Sequence, residues 1–267
     1  MWFLEFLGKI SVKARWNHIS QKPKHSYRMN TKNIVSILTF ASLATTTMGA
    51  PITYTDWISA GTPGVYATAF GTLNLPGGPV NVAYSGEFSV AQLNNTGTQY
   101  WTEPNPSALP YTGNLVVGNA PSTSDIIELS EPSGQEANKI TFSQPVANPI
   151  MLINSLGSSG RNITVSYTFN DPFALLSAGE GYFGGTATTL TASGQTLSGT
   201  EGAGAIEFMG NVTSISWTTT GSENWNGFTI GAAPDGGTTL SLLGMSFSCL
   251  LGIKARKFMT RVPASNP

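Results

Sequence analysis

From Pro51 to Gly237 no stretch of the chain repeats its apolar residues at helical spacing, whereas short runs rich in Val, Ile, Thr, Phe and Tyr recur between clusters of Gly, Pro, Asn and Ser. Such a chain can bury its apolar residues only as strands. The clearest run alternates Ile163, Val165, Tyr167 and Phe169 with Thr164, Ser166 and Thr168, which turns one face to a core and the other to water. Ten runs read as strands: 65–73, 80–85, 125–129, 139–143, 149–154, 163–169, 186–192, 203–208, 212–218 and 225–230. The expected fold is all-β, a two-sheet β-sandwich or jelly roll spanning residues 50–232. Trp57 and Trp217 read as core residues. Ile215 with Trp217 and Phe228 with Ile230 define one apolar face on each of the last two runs, and residues 221–224 between them predict a hairpin turn.

Charge divides the chain into a middle and two ends. Between Pro51 and Gly237 the basic residues are Lys139 and Arg161 alone, against thirteen acidic ones, a net charge of −11. Without a basic patch the middle is not built for nucleic acid, nor for an acidic polysaccharide held by charge alone, since both need Lys or Arg to displace counterions. Cations and neutral glycans remain as partners. The one cysteine, Cys249, lies in a C-terminal apolar run, and both histidines, His18 and His25, lie near the N-terminus. The middle therefore holds no disulfide, no Ser/His or Cys/His nucleophile system and no usual zinc ligand set. Its 187 residues suffice to bury a core unaided.

The ends carry addresses. Residues 29–49 read as a secretory signal peptide: Lys32, an apolar stretch from Ile34 to Ala44, then small residues, with cleavage expected after Gly49. Residues 1–28 fit no part of that scheme and read as an extension upstream of a true start at Met29. At the other end Pro234, Asp235, Gly236 and Gly237 precede an apolar stretch, 238–253, expected to be an anchor helix of about 24 Å. A basic stop follows (Lys254, Arg256, Lys257, Arg261), which positive charge keeps on the cytoplasmic side, and then a tail, 262–267.

The order and spacing of Pro234-Asp235-Gly236-Gly237-Thr238-Thr239-Leu240, the apolar run and the basic residues resemble the PEP-CTERM sorting signal of Gram-negative bacteria, in a PDGG-type variant, over residues 233–261. The resemblance implies recognition by an exosortase. It also implies a route through the Sec translocon and signal peptidase, an interval at the inner membrane, and a final place at the cell surface or outside the cell.

For the middle domain the expectation is a structural or adhesive surface protein of the extracellular matrix or biofilm, not an enzyme. The alternatives are a secreted glycan-binding module and a carboxylate-dependent polysaccharide hydrolase. Trp101, Tyr182 and Trp225 stand beside turn-forming residues and are the candidates for stacking on a sugar ring or extracellular polysaccharide. Glu180, Glu201 and Glu207 are the candidate carboxylates for a hydrolytic pair. No cofactor is expected. Calcium is the one candidate ion, through Asn170, Asp171 and Asp125 in or beside turns.

Overall fold

The computed structural model describes residues 49–130 and 137–234. The expected extension 1–28, the expected signal peptide apart from Gly49, Asp235 to Gly237, the anchor stretch, the basic stop and the tail lie outside the described residues. Among the described residues there is no helix, and fifteen strands form two antiparallel sheets. In chain order they are β1 (Thr53–Tyr54), β2 (Asp56–Ala60), β3 (Gly64–Leu75), β4 (Gly78–Phe88), β5 (Val90–Gln92), β6 (Ile126–Leu129), β7 (Ala137–Ala147) and β8 (Ile150–Leu156). There follow β9 (Val165–Phe169), β10 (Phe173–Gly179), β11 (Leu190–Ser193), β12 (Thr196–Gly199), β13 (Gly202–Phe208), β14 (Asn211–Thr220) and β15 (Asn226–Ala232).

One sheet runs β10-β13-β8-β15-β6-β5, with β1 added beside β15, and the other runs β11-β12-β9-β14-β7-β4-β3-β2. From β6 to β9, and again from β13 to β15, the chain changes sheet at every connection. The nested orders β6-β15-β8-β13 and β7-β14-β9-β12 are those of a jelly roll. The segment 221–224 is accordingly not a hairpin turn: β14 and β15 belong to different sheets. Alternation in the sequence marks two strands and a turn but not their partners. The two apolar faces meet across the core, where Trp217 and Phe228 pack edge to face at 5.4 Å between ring centroids.

The core between the sheets is aromatic. Tyr84 of one sheet meets Phe228 of the other at 5.2 Å, and Phe169 meets Phe208 at 5.1 Å. Trp57 and Trp217 lie in this core, as expected. The larger sheet leaves its outer face to water, and β7 and β14 alternate buried and exposed positions accordingly. In the smaller sheet every residue of β8, β13 and β15 is buried. The reason is the long connection between β5 and β6, which folds over that sheet's outer face. Its Trp101, Tyr111 and Val117 join Ile126, Ile150 and Leu152 in a second apolar cluster.

β1 fixes the start of the domain to its end. Thr53 pairs with Ala232 and Tyr54 with Gly231. Asn119 clips the same segment, accepting from the Ile52 amide at 2.6 Å and donating to the Ile52 carbonyl at 3.1 Å. The last strand ends at Ala232, two residues beyond the expected end, so Ala233 alone separates it from Pro234.

Candidate functional site

Antiparallel register decides which loops meet. Gly227 pairs with Asn154, Gly202 with Leu156, and Gly179 with Ala203. The start of β15, the end of β8, the start of β13 and the end of β10 therefore lie at one end of the sandwich. Pro234, past the far end of β15, lies at the other.

At the first end four aromatic rings from three distant segments form a continuous cluster. Tyr100 packs on Trp225 at 4.9 Å, on Tyr182 at 5.0 Å and on Phe183 at 5.7 Å, while Phe183 meets Trp225 at 4.7 Å. Tyr182 and Phe183 are the central residues of a tight turn in which Gly181 and Gly184 exchange backbone hydrogen bonds of 2.8 and 3.0 Å. Gly184 takes φ +106°, a conformation that favours glycine. That tip leaves both rings about half exposed, at 47% and 48%. The Trp225 indole is oriented from below, its Nε1–H donating to Glu128 Oε2 at 2.8 Å. Glu128 is buried in β6, and burial pushes its carboxyl above the ordinary range, against the opposing pull of that indole hydrogen bond.

Beside the rings opens a groove of about 450 Å³, lined on its polar side by Ser155, Arg161, Glu201, Glu223 and Asn224. Glu201 accepts from the Ser155 hydroxyl and from the Ser159 amide at 3.4 Å. Glu223 accepts from the Gly157 amide at 2.8 Å and the Asn226 side-chain amide at 2.7 Å. Both carboxylates thus brace the β8–β9 connection. Ser155 and Glu201 hold φ of +57° and +70°, which non-glycine residues rarely adopt, and strain of this kind concentrates at functional sites.

Of the sequence-predicted residues, Tyr182 and Trp225 belong to the aromatic cluster, and Glu201 lines the groove. Trp101 does not: it is 0% exposed, packs on Tyr111 at 5.5 Å and donates its indole N–H to the Asp125 carbonyl at 3.1 Å, so no face is left for a ligand. Of the three candidate carboxylates, Glu207 stands apart from the other two. Glu180 accepts from Asn105 at 3.0 Å. Glu207 pairs with Ile150, near the far end of β13 from Glu201, about 20 Å along the strand, beyond the span of a hydrolytic pair.

The calcium candidates are also dispersed. Asn170 donates its side-chain amide to Ser216 Oγ at 2.6 Å, and Asp125 Oδ1 fixes the Asn95 turn at 2.8 Å. Among the described residues no three acidic, histidine or cysteine side chains form a metal-binding group. Sequence reasoning missed Tyr100, Phe183, Glu223, Asn224 and Arg161. The scarcity of cations was a usable signal for Arg161, one of two in the domain.

The described residues form an all-β domain with an aromatic groove at one end and Pro234, the start of the sorting motif, at the other. Residues 234–257 match the family model described as the VPDSG-CTERM motif, a C-terminal sorting signal related to PEP-CTERM. This chain reads Ala233-Pro234-Asp235-Gly236-Gly237 there. The motif points to export, processing by an exosortase-like system at the membrane, and a place at the cell surface. Neither a curated protein nor a solved structure matches the chain.

Proposed function

We propose that this is an exosortase-sorted adhesive protein of the cell surface, whose jelly roll binds an extracellular glycan in the groove at the end away from the sorting signal. The observation that carries the reading is the cluster of Tyr100, Tyr182, Phe183 and Trp225 beside a groove lined by carboxylates, an amide and a guanidinium. A pyranose ring has an apolar C–H face and a polar rim, and this lining offers a partner for each. The jelly-roll winding is neutral here, since lectins and viral capsids share it.

The proposal includes the PDGG reading of the sorting motif, a transient inner-membrane stage after Sec export and signal peptidase cleavage, and a role in matrix or biofilm cohesion. It includes neither a cofactor nor catalysis. The direct test is retention on a panel of insoluble and immobilised polysaccharides, with and without a chelator. Retention that survives the chelator and falls about tenfold or more in Trp225→Ala, with the melting temperature of the variant near the parent's, is the expected result. Retention unaffected by Trp225→Ala and by Phe183→Ala would place any glycan contact elsewhere.

A further inference from the structure

The four rings at the groove end do not share a plane. Tyr182 and Phe183, the two most open to water, stand at 73° to each other with centroids 5.1 Å apart. Tyr100 lies at 86° to Tyr182 and at 58° to Trp225, and Phe183 lies at 64° to Trp225. Tyr100 and Phe183 come nearest to parallel, at 30°, and at 5.7 Å they pack on each other rather than side by side in one plane. These angles are held from below. Trp225 is fixed through its Nε1–H by Glu128, and Tyr100 by Asn154, a fully buried residue whose side-chain amide donates to the Tyr100 carbonyl at 3.0 Å. The turn that carries Tyr182 and Phe183 is closed by the two hydrogen bonds between Gly181 and Gly184. Its base is tightly packed, since a Cβ on Gly181 would come within 2.5 Å of Ala203 Cβ. Turning the rings into one plane would break the indole bond and the ring-on-ring contacts.

We propose that the site holds a few sugar units of a single, separated polysaccharide chain and does not lie on an ordered polysaccharide surface; this rests on the glycan reading above and names the form in which the ligand is taken. The face of a polysaccharide crystal is a plane of C–H groups. A protein that lies on it needs rings in one plane, spaced so that each takes its own sugar. Here a plane that meets Phe183 face-on meets Tyr182 at 73°, close to edge-on. A single sugar suits crossed rings, because its C–H face can rest on one while its edge meets the next. The groove beside them, about 450 Å³, is toward the small end of ligand sites, roughly 300–1,000 Å³, and has room for a short stretch of chain.

The test uses the full chain purified in a detergent without a sugar headgroup. Calorimetric titration is run with glucose, galactose, mannose and N-acetylglucosamine oligomers, from disaccharide to hexasaccharide. The expected result is that the best-binding series reaches its full affinity by the trisaccharide and gains no more than about twofold from there to the hexasaccharide, whereas a row of further subsites would add severalfold with each unit. Crystalline cellulose and crystalline chitin should retain less than about a tenth of the protein retained by whichever immobilised single-chain polysaccharide binds best. Phe183→Ala, a change at a half-exposed ring, should weaken binding of the best oligomer about tenfold.

An affinity that keeps climbing through the hexasaccharide, or retention on a crystalline polymer equal to that on the single-chain one, overturns the short-chain specificity. So does retention of polysaccharides through these rings when no oligomer binds. In each of those cases loss of binding in Phe183→Ala and Trp225→Ala leaves the glycan reading standing. Binding that neither substitution alters, or no binding to any oligomer or polysaccharide, overturns the glycan reading and the specificity with it.

Discussion

The indole N–H groups of Trp101 and Trp225 both end on the stretch from Asp125 to Glu128, one on a backbone carbonyl and one on a carboxylate. Their fates differ because Trp101, within the β5–β6 connection, is folded down on the sheet beside Tyr111, whereas Trp225 stands just before β15 with Tyr100 and Phe183 packed on it. Trp101→Ala should therefore destabilise the fold by about 3–5 kcal/mol in urea denaturation, the usual result of emptying a large core site. Trp225→Ala should act mainly on ligand binding, and equal stability losses in the two variants would contradict this division. In sequence the two residues are alike, each an aromatic beside turn formers, which is why the site was half legible. Local context found Tyr182 and Trp225, but burial of Trp101 depends on a layer that Ile52, Tyr111, Ile126, Ile150 and Leu152 bring together from across the chain. The buried acids make a further claim. Asp125, Glu128 and Glu207 all have carboxyls raised above their ordinary values, chiefly by burial, and Asp125 is raised further by Asp56 while the Asn95 amide opposes the shift. Between the ordinary carboxylate range and the raised folded values, the folded chain keeps protons that the unfolded chain has released. Each group thus favours folding most on the acid side of that window and withdraws its support as pH rises through it. Melting temperature should fall as pH rises through that window, and Glu207→Gln should flatten the slope; a profile rising over that interval would show that other titrations dominate.

Strands legible in sequence were those with one wet face or a strong apolar run. β7, β9 and β14 declare themselves by alternation, and β8 by its continuous apolar stretch. β10 and β12 were not read: Phe173–Gly179 is half-buried along most of its length, so no period stands out, and Thr196–Gly199 is too short. The run expected at 186–192 begins later, at Leu190, because Thr186 and Thr189 close a turn through a backbone bond of 3.1 Å. β1, a two-residue strand, had no signal, yet it holds the start of the domain to its end. Gly231 makes that pairing close, since a Cβ there would meet the Thr53 carbonyl oxygen at 2.7 Å and Tyr54 Cδ1 at 2.7 Å. Gly231→Val should push β1 off the sheet edge, destabilising the fold by about 1–3 kcal/mol. Hydrogen exchange should quicken at Thr55, whose amide bonds the Ile230 carbonyl at 2.9 Å, before it quickens in β8 or β13. Exchange that stays slow at Thr55 would mean that the Asn119 clip alone holds the segment.

At the scale of the whole molecule, β15 is the axis that separates ligand from anchor. It starts at Asn226, beneath the groove, and ends at Ala232, about 20 Å away, with Ala233 the single residue before the sorting motif. The β1 pairing brings Thr53, four residues after the expected signal cleavage site at Gly49, beside Ala232 at that same end, away from the groove. One residue of slack spans less than about 4 Å. Under the proposed route, the folded domain then stands against the membrane while the sorting enzyme reaches Pro234 and Asp235, and the domain itself limits access to the bond. Two variants separate recognition from access. Pro234→Ala combined with Asp235→Ala removes the motif and should leave the fold intact while a longer, membrane-bound form accumulates. Insertion of about ten Gly and Ser residues after Ala233 keeps the motif and adds a flexible tether of roughly 15–20 Å, so pulse-chase labelling in the native host should show faster conversion to the shorter form. Unchanged release of the double variant would mean that the C-terminus is an ordinary anchor. Conversion that is no faster with the tether would mean that the enzyme works on the chain before the jelly roll closes, since only an unfolded domain leaves the bond equally open in both.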